Sequence, residues 1–315
     1  MLEYRKLIKF GNSSHVISLP NVWLKKNNMH KGDVIYLEQN GHNELILTSE
    51  KKENNIAIKE ITISLANKSD YDIKREITAA YTNNFKKINI IDNNLEEKYN
   101  LIKEALHNLI AVEILDHTSS KLVLQDFLDM NNVSIKNIIR RLDILIRAML
   151  IDSRNTKKKD LYNSLMKRDE DVNRLTILAS RVVNYYLEHP EKIKAEESLR
   201  DIVKFNIISD HMERLADETK RIARVFRELK ASKELCEKID LAYQILEKTY
   251  SKVMHSFYQN DQETAFQASK AIREKVIEII KSAYEEAKNK ESAIILEKLK
   301  TMANHIKIIA RAIYD

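Results

Sequence analysis

Glycine and proline are nearly missing from this 315-residue chain, which has three glycines, two prolines, one cysteine and one tryptophan. A single cysteine, Cys236, can form no intrachain disulfide, so a reducing compartment and a cytoplasmic protein are expected. The opening MLEYRKLIKFGNSS has no apolar stretch of signal-peptide kind, and no apolar run approaches the roughly 18 residues of a membrane span. Neither a leader nor a span is therefore expected. Gly11, Gly32 and Gly41 are the only glycines, so residues 42–315 have none. That excludes a Walker A loop, a dinucleotide fingerprint and a G-x-S-x-G elbow, all of which need glycine at fixed places. The expectation is a regulator and not an enzyme.

Charge is abundant. Charged residues make up 32% of the chain, with 53 basic against 47 acidic side chains and a formal net charge of +6. The excess is concentrated at the front. Residues 1–31 hold Arg5, Lys6, Lys9, Lys25, Lys26 and Lys31 against Glu3 alone. A local field of that sign attracts nucleic acid or an acidic membrane.

The glycine break near residue 50 divides the chain. Residues 1–50 read as short strands, Tyr4–Phe10, His15–Leu19, Val34–Glu38 and Glu44–Thr48, around a short helix that begins after Pro20. Asn40-Gly41 is a hairpin signal. So small a segment buries too little apolar surface to stand alone, so two chains are expected to intertwine here as a homodimer. Residues 55–132 read as a small α/β connector with strands at Ile58–Leu65, Lys87–Asp92, Val112–Asp116 and Lys121–Phe127, and helices at Asp72–Asn84 and Leu95–Ile110. From Val133 onward the apolar steps are three and four residues. Polar breaks yield six helices near 134–153, 160–188, 197–228, 234–257, 262–288 and 292–313. These form two tandem three-helix units, 133–230 and 231–315, whose last helices end alike in Arg221-Ile222-Ala223-Arg224 and Ile308-Ile309-Ala310-Arg311. The fold class is thus mainly α, with a small β-rich N-terminal domain.

Several segments of the first module occur in a telling order: Arg5-Lys6-Leu7, Gly11-Asn12-Ser13-Ser14, Ile17-Ser18-Leu19-Pro20, Lys31-Gly32-Asp33 and Leu45-Ile46-Leu47. Together they resemble the AbrB/MazE/SpoVT swapped-hairpin family. The resemblance implies a two-chain barrel that binds DNA, with Arg5, Lys6 and Lys9 on the DNA side and Asn12, Ser13 and Ser14 in the adjacent loop. Basic side chains neutralise phosphates and short polar ones fix register, which agrees with that implication. The bland alternative is a barrel that only dimerises the protein and whose lysines are a solvated face.

The helix near 197–228 carries a second pattern. Phe205, Ile208, Met212, Leu215 and Ile222 form its apolar stripe. Asn206, Asp210, Glu213 and Asp217 lie alongside at three- and four-residue steps, where carboxylates can share a hard cation. The same spacing also gives the i,i+4 pairs Asp210–Arg214 and Asp217–Arg221, an ordinary way to support a helix. His211 reads as a surface histidine. The stretch Glu213-Arg214-Leu215-Ala216-Asp217, with Arg221-Ile222-Ala223 after it and Asp169-Glu170-Asp171-Val172-Asn173-Arg174-Leu175 before it, resembles the PhoU family of phosphate-uptake regulators. The resemblance covers about 133–315. It implies tandem bundles with acidic metal clusters, acting on phosphate transporters and sensor kinases. Asn173 stands where the family has a second acid. In the second unit Lys300, Asn304 and Arg273 stand opposite the acids, so that site is expected to be lost. What remains is one cluster for a divalent or trivalent metal ion, built on Asp169, Asp210, Glu213 and Asp217. Two-metal hydrolysis is set aside for want of carboxylates. The joint expectation is a dimeric DNA-binding regulator of phosphate uptake with a helical sensor domain. Its rival is an adaptor on a phosphate transporter component or kinase, with the first module as a dimer clamp.

Overall fold

The computed structural model describes residues 4–39, 44–50, 59–156, 159–193 and 197–315. Two compact units emerge, 1–57 and 58–315.

In the first unit, β1 (Ile8–Phe10) and β2 (Ser14–Val16) form one antiparallel hairpin, with Ile8 opposite Val16 and Phe10 opposite Ser14. Gly11 takes φ +69 in the turn, a conformation that favours glycine. α1 (Asn21–Lys26) follows Pro20. β3 (Tyr36–Gln39) and β4 (Leu45–Thr48) form a second antiparallel hairpin. The Asn40-Gly41 turn lies outside the described residues. Each hairpin is apolar on one face, because directly opposed residues point the same way. Ile8, Phe10 and Val16 share one face of the first, and Leu37, Leu45 and Leu47 one face of the second. Among the described residues of this unit no side chain is buried.

The second unit starts with β5 (Glu60–Ser64), α2 (Asp70–Thr82), β6 (Lys87–Ile91), α3 (Leu95–His107), β7 (Val112–His117) and β8 (Lys121–Asp126). The sheet runs β5-β6-β8-β7, with β5 parallel to β6 and the other pairs antiparallel. A parallel pair needs a crossover, and α2 supplies it. Ser69 caps α2 by accepting from the Asp72 amide. Ile63, Ile73, Ile77, Tyr81, Ile90, Leu95, Leu122 and Leu124 make the core of this connector.

The helical body consists of α4 (Ile135–Asn155), α5 (Tyr162–Glu188), α6 (Leu199–Phe226), α7 (Lys233–Gln259), α8 (Gln262–Ala271), α9 (Ile277–Tyr284) and α10 (Lys290–Tyr314). Five of the six expected helices are continuous. The fifth is split by a π-helical turn, Ile272–Val276, between α8 and α9. The buried residues Ala268, Ile272, Val276 and Ile280 explain it. Three successive four-residue steps would rotate the stripe by about 40° each at 3.6 residues per turn. A wider turn takes out that drift and keeps the stripe facing inward. The two three-helix groups are not separate globules. One continuous core runs from Met130 to Ile313, and α6 packs along α10 at its centre. Ala216 and Ala223 on α6, with Ala303 and Ala310 on α10, are buried and small enough for close approach.

α5 also reaches the sheet. Ile177 packs on the connector core. Arg181, wholly buried, grips Asp126 with two parallel bonds, Nη1–Oδ1 3.0 Å and Nη2–Oδ2 2.5 Å. Its guanidinium lies 4.3 Å from the centre of the Tyr81 ring, and Nε donates to Asn84 Oδ1 at 3.3 Å.

Candidate functional site

α6 places its apolar stripe inward as expected: Phe205, Ile208, Met212, Leu215 and Ile222 are all buried. The acidic positions fall on the flank of that stripe, next to α5. Asp169, from α5, is buried there, and Glu213 and Asp217 are half-buried beside it. Asp210 lies a turn away and half-exposed, held by Arg214 at 2.9 Å.

The charge between Asp169 and Asp217 is an ammonium. Lys220 Nζ lies 2.5 Å from Asp169 Oδ2 and 2.9 Å from Asp217 Oδ1. Arg221 takes the other Asp217 oxygen at 3.0 Å. Burial disfavours the Lys220 charge, yet these bonds outweigh burial and hold its pKa above the ordinary lysine value. Glu213 has no ion-pair partner among the described residues, and burial, then Asp217 and Asp210, push its carboxyl above the usual range. No group of three or more His, Cys, Asp or Glu is placed to hold a metal ion among the described residues. In this arrangement the side chains fit an internal cation and not a resident metal. Asp171 and Glu170 are exposed, and Asn173 is half-buried. In the second unit Arg273, Lys300 and Asn304 are exposed.

Sequence reasoning missed Lys220 because i,i+3 lysines are common on helices. It also missed Glu218, a buried acid that meets Arg221 at 2.6 Å and Lys298 of α10 at 2.9 Å.

His211 is not a surface histidine. It is half-buried, and its Nδ1 lies 3.0 Å from Nδ1 of His305 on α10. Two such nitrogens bond only if one donates and the other accepts, so the accepting ring is neutral and the two cannot both be protonated. Burial, then His211, pushes His305 down to about 4, against the pull of Glu218 and Asp210 and with the push of Arg214. An unfolded histidine titrates near 6.5. The contribution of this contact is therefore complete above that value and declines as pH falls toward 4, because the unfolded chain gains the proton first. Melting curves at pH 7.5 and 5 are expected to show a smaller loss for His305→Gln than for the unaltered chain. Equal losses would refute the assignment.

The six residues expected to meet DNA lie along the first hairpin. Arg5 and Lys6 precede β1, Lys9 is in it, Asn12 and Ser13 are in the turn and Ser14 opens β2. All six are exposed. Lys9 pairs with His15 on the face opposite the apolar one, whereas Ser14 shares a face with Ile8 and Phe10.

Among the described residues no helix is long and apolar enough to cross a membrane. No family model matches the chain, and no curated protein matches it. Solved structures do. The crystal structure of PhoU from Pseudomonas aeruginosa is 17% identical with a TM-score of 0.52, over 57% of this chain and 93% of that one. The phosphate transport system regulatory protein PhoU from Streptococcus pneumoniae is 14% identical with a TM-score of 0.45, over 57% and 88%. At such identity the first likeness is one of fold: the helical body is PhoU-like.

Proposed function

We propose that this chain is a PhoU-like regulatory adaptor of phosphate uptake, acting on a component of a phosphate transporter or on a sensor kinase, and dimerised through residues 1–50. The observation that carries the reading is the PhoU-like helical body, whose likeness spans 93% of the Pseudomonas aeruginosa protein. The dimer rests on a separate observation. Tyr4, Leu7, Phe10, Val22, Val34, Leu37 and Leu45 are each more than 60% exposed in a single chain. Apolar surface so concentrated in a small unit calls for a partner. Two amphipathic hairpins suit a second copy.

The test is reconstitution with a purified phosphate-transporter ATPase subunit. Co-elution is expected, and light scattering is expected to give twice the chain mass. Leu37→Asp with Leu45→Asp should yield a monomer that still retains the helical body. A monomeric unaltered chain would overturn the dimer, and no association with either partner class at micromolar concentration would overturn the adaptor.

DNA binding is the second reading, favoured by the exposed basic ridge of Arg5, Lys6 and Lys9. It requires a salt-sensitive shift of DNA that Arg5→Ala with Lys6→Ala abolishes. A metal ion at Asp169, Glu213 and Asp217 would bind only by displacing Lys220, so cation affinity in the unaltered chain is expected to be weak.

A further inference from the structure

A cavity of about 470 Å³ opens where the start of α4, the start of α6 and the ends of α7 and α10 meet. It joins the two three-helix groups, since Lys136 and Arg140 come from α4, Lys204 and Phe205 from α6, and Tyr258 from α7. Helix ends of both polarities converge there, so their dipoles largely offset one another and side chains set the charge. Three cations face one carboxylate, Asp201.

The partners of these groups decide what the cavity attracts. Asp201 is already engaged, accepting from the Ser198 amide at 2.9 Å and the Ser198 hydroxyl at 2.7 Å in a capping box. Lys136 has Glu197 at 3.0 Å. Among the described residues neither Arg140 nor Lys204 has a carboxylate partner. Arg140 is nonetheless held in place, its guanidinium 5.7 Å from the Tyr258 ring centre. That ring is fixed in turn, because the Tyr258 hydroxyl donates to Asp143 Oδ2 at 3.0 Å and Arg147 holds the other Asp143 oxygen at 2.7 Å. The remaining wall is aromatic: Phe205 and Phe257 meet edge to face at 6.0 Å.

We propose that this cavity binds a small organic phosphate with an aromatic ring, of the nucleoside monophosphate class, with Arg140 and Lys204 on the phosphate and the Phe205–Tyr258 side against the base. Two unpaired cations on adjacent helices match a dianion. A phosphate ion alone would leave the aromatic wall untouched, and the volume falls in the range of small-molecule sites of roughly 300–1,000 Å³. Because the walls come from both three-helix groups, occupancy ties them together. The inference is independent of the adaptor reading, which is tested on partner proteins.

Calorimetry and thermal melts on the full chain test it, with AMP, UMP, adenosine and inorganic phosphate as probes. A nucleoside monophosphate is expected to bind and to raise the melting temperature, with adenosine and phosphate each at least about tenfold weaker. Arg140→Gln with Lys204→Gln is expected to lose about tenfold or more in nucleotide affinity while lowering the unliganded melting temperature only slightly, as among the described residues neither side chain has a carboxylate bonded to it and Arg140 has only the Tyr258 ring. Absence of nucleotide binding would overturn the proposal. So would phosphate binding as tightly as AMP, or nucleotide affinity unchanged in the double variant.

Discussion

Arg181→Ala is expected to lower the unfolding free energy of residues 58–315 by about 3 kcal/mol or more, read by denaturant titration at pH 7. The guanidinium is fully buried, and Asp126 is nearly so. Breaking a buried pair from one side strands the other charge in a poor solvent. Lys86 partly offsets the loss, since its Nζ is 2.6 Å from Asp126 Oδ2 and stays in place. It cannot replace the second oxygen's bond, the Asn84 contact or the packing on Tyr81. The pair also joins α5 to the sheet, so its loss should loosen the connector before the helical body. Hydrogen exchange is expected to quicken first in β6 and β8. Asp126→Asn combined with Arg181→Leu should cost clearly less than the two single changes summed, as contacting partners do. Additive costs would mean that the pair is not the source.

How this join could be read from the sequence is instructive. The stretch Ile177–Tyr186 is apolar nearly all round the helix, with Ile177, Leu178, Ala179, Val182, Val183, Tyr185 and Tyr186. A helix with apolar residues on every side must bury more than one face. Sequence reasoning passed over that pattern, and with it Arg181 as the mark of an internal ion pair. Its partner was not legible, because Asp126 is 55 residues away and closes a sheet strand. The six-helix body was legible for the opposite reason: its signal is local periodicity, recurring within each helix. The π turn escaped because it changes the period for five residues only. At the candidate site, the acidic stripe was visible on α6 alone. What fills it depends on which lysine the tertiary fold brings to Asp169, and no spacing rule within one helix states that.

Lys220→Met is the change that asks most directly what the acidic face is for. Its ammonium joins α5 to α6, and removing it leaves buried Asp169 without its cation and Asp217 with Arg221 alone, beside half-buried Glu213. The expected cost at pH 7 is about 3 kcal/mol, the usual scale for stranding buried charge. The pH dependence has a definite sign. Lys220 titrates above its ordinary value when folded, so its contribution is complete below about 10.5 and lost as pH rises through the folded value. In the variant the carboxylates themselves take protons more readily, so its deficit should shrink as pH falls through the carboxylate range. A divalent cation provides the sharper contrast. With the ammonium gone, the Asp169 and Asp217 oxygens that it bonded are open to a hard ion, and millimolar magnesium or manganese should restore part of the lost melting temperature. The unaltered chain should gain little, because Lys220 and Arg221 already balance the two carboxylates. If the unaltered chain binds cation as tightly as the variant, the ammonium is displaced in solution and the acidic face is a metal site. If neither responds, the cluster is a tie between two helices and nothing more.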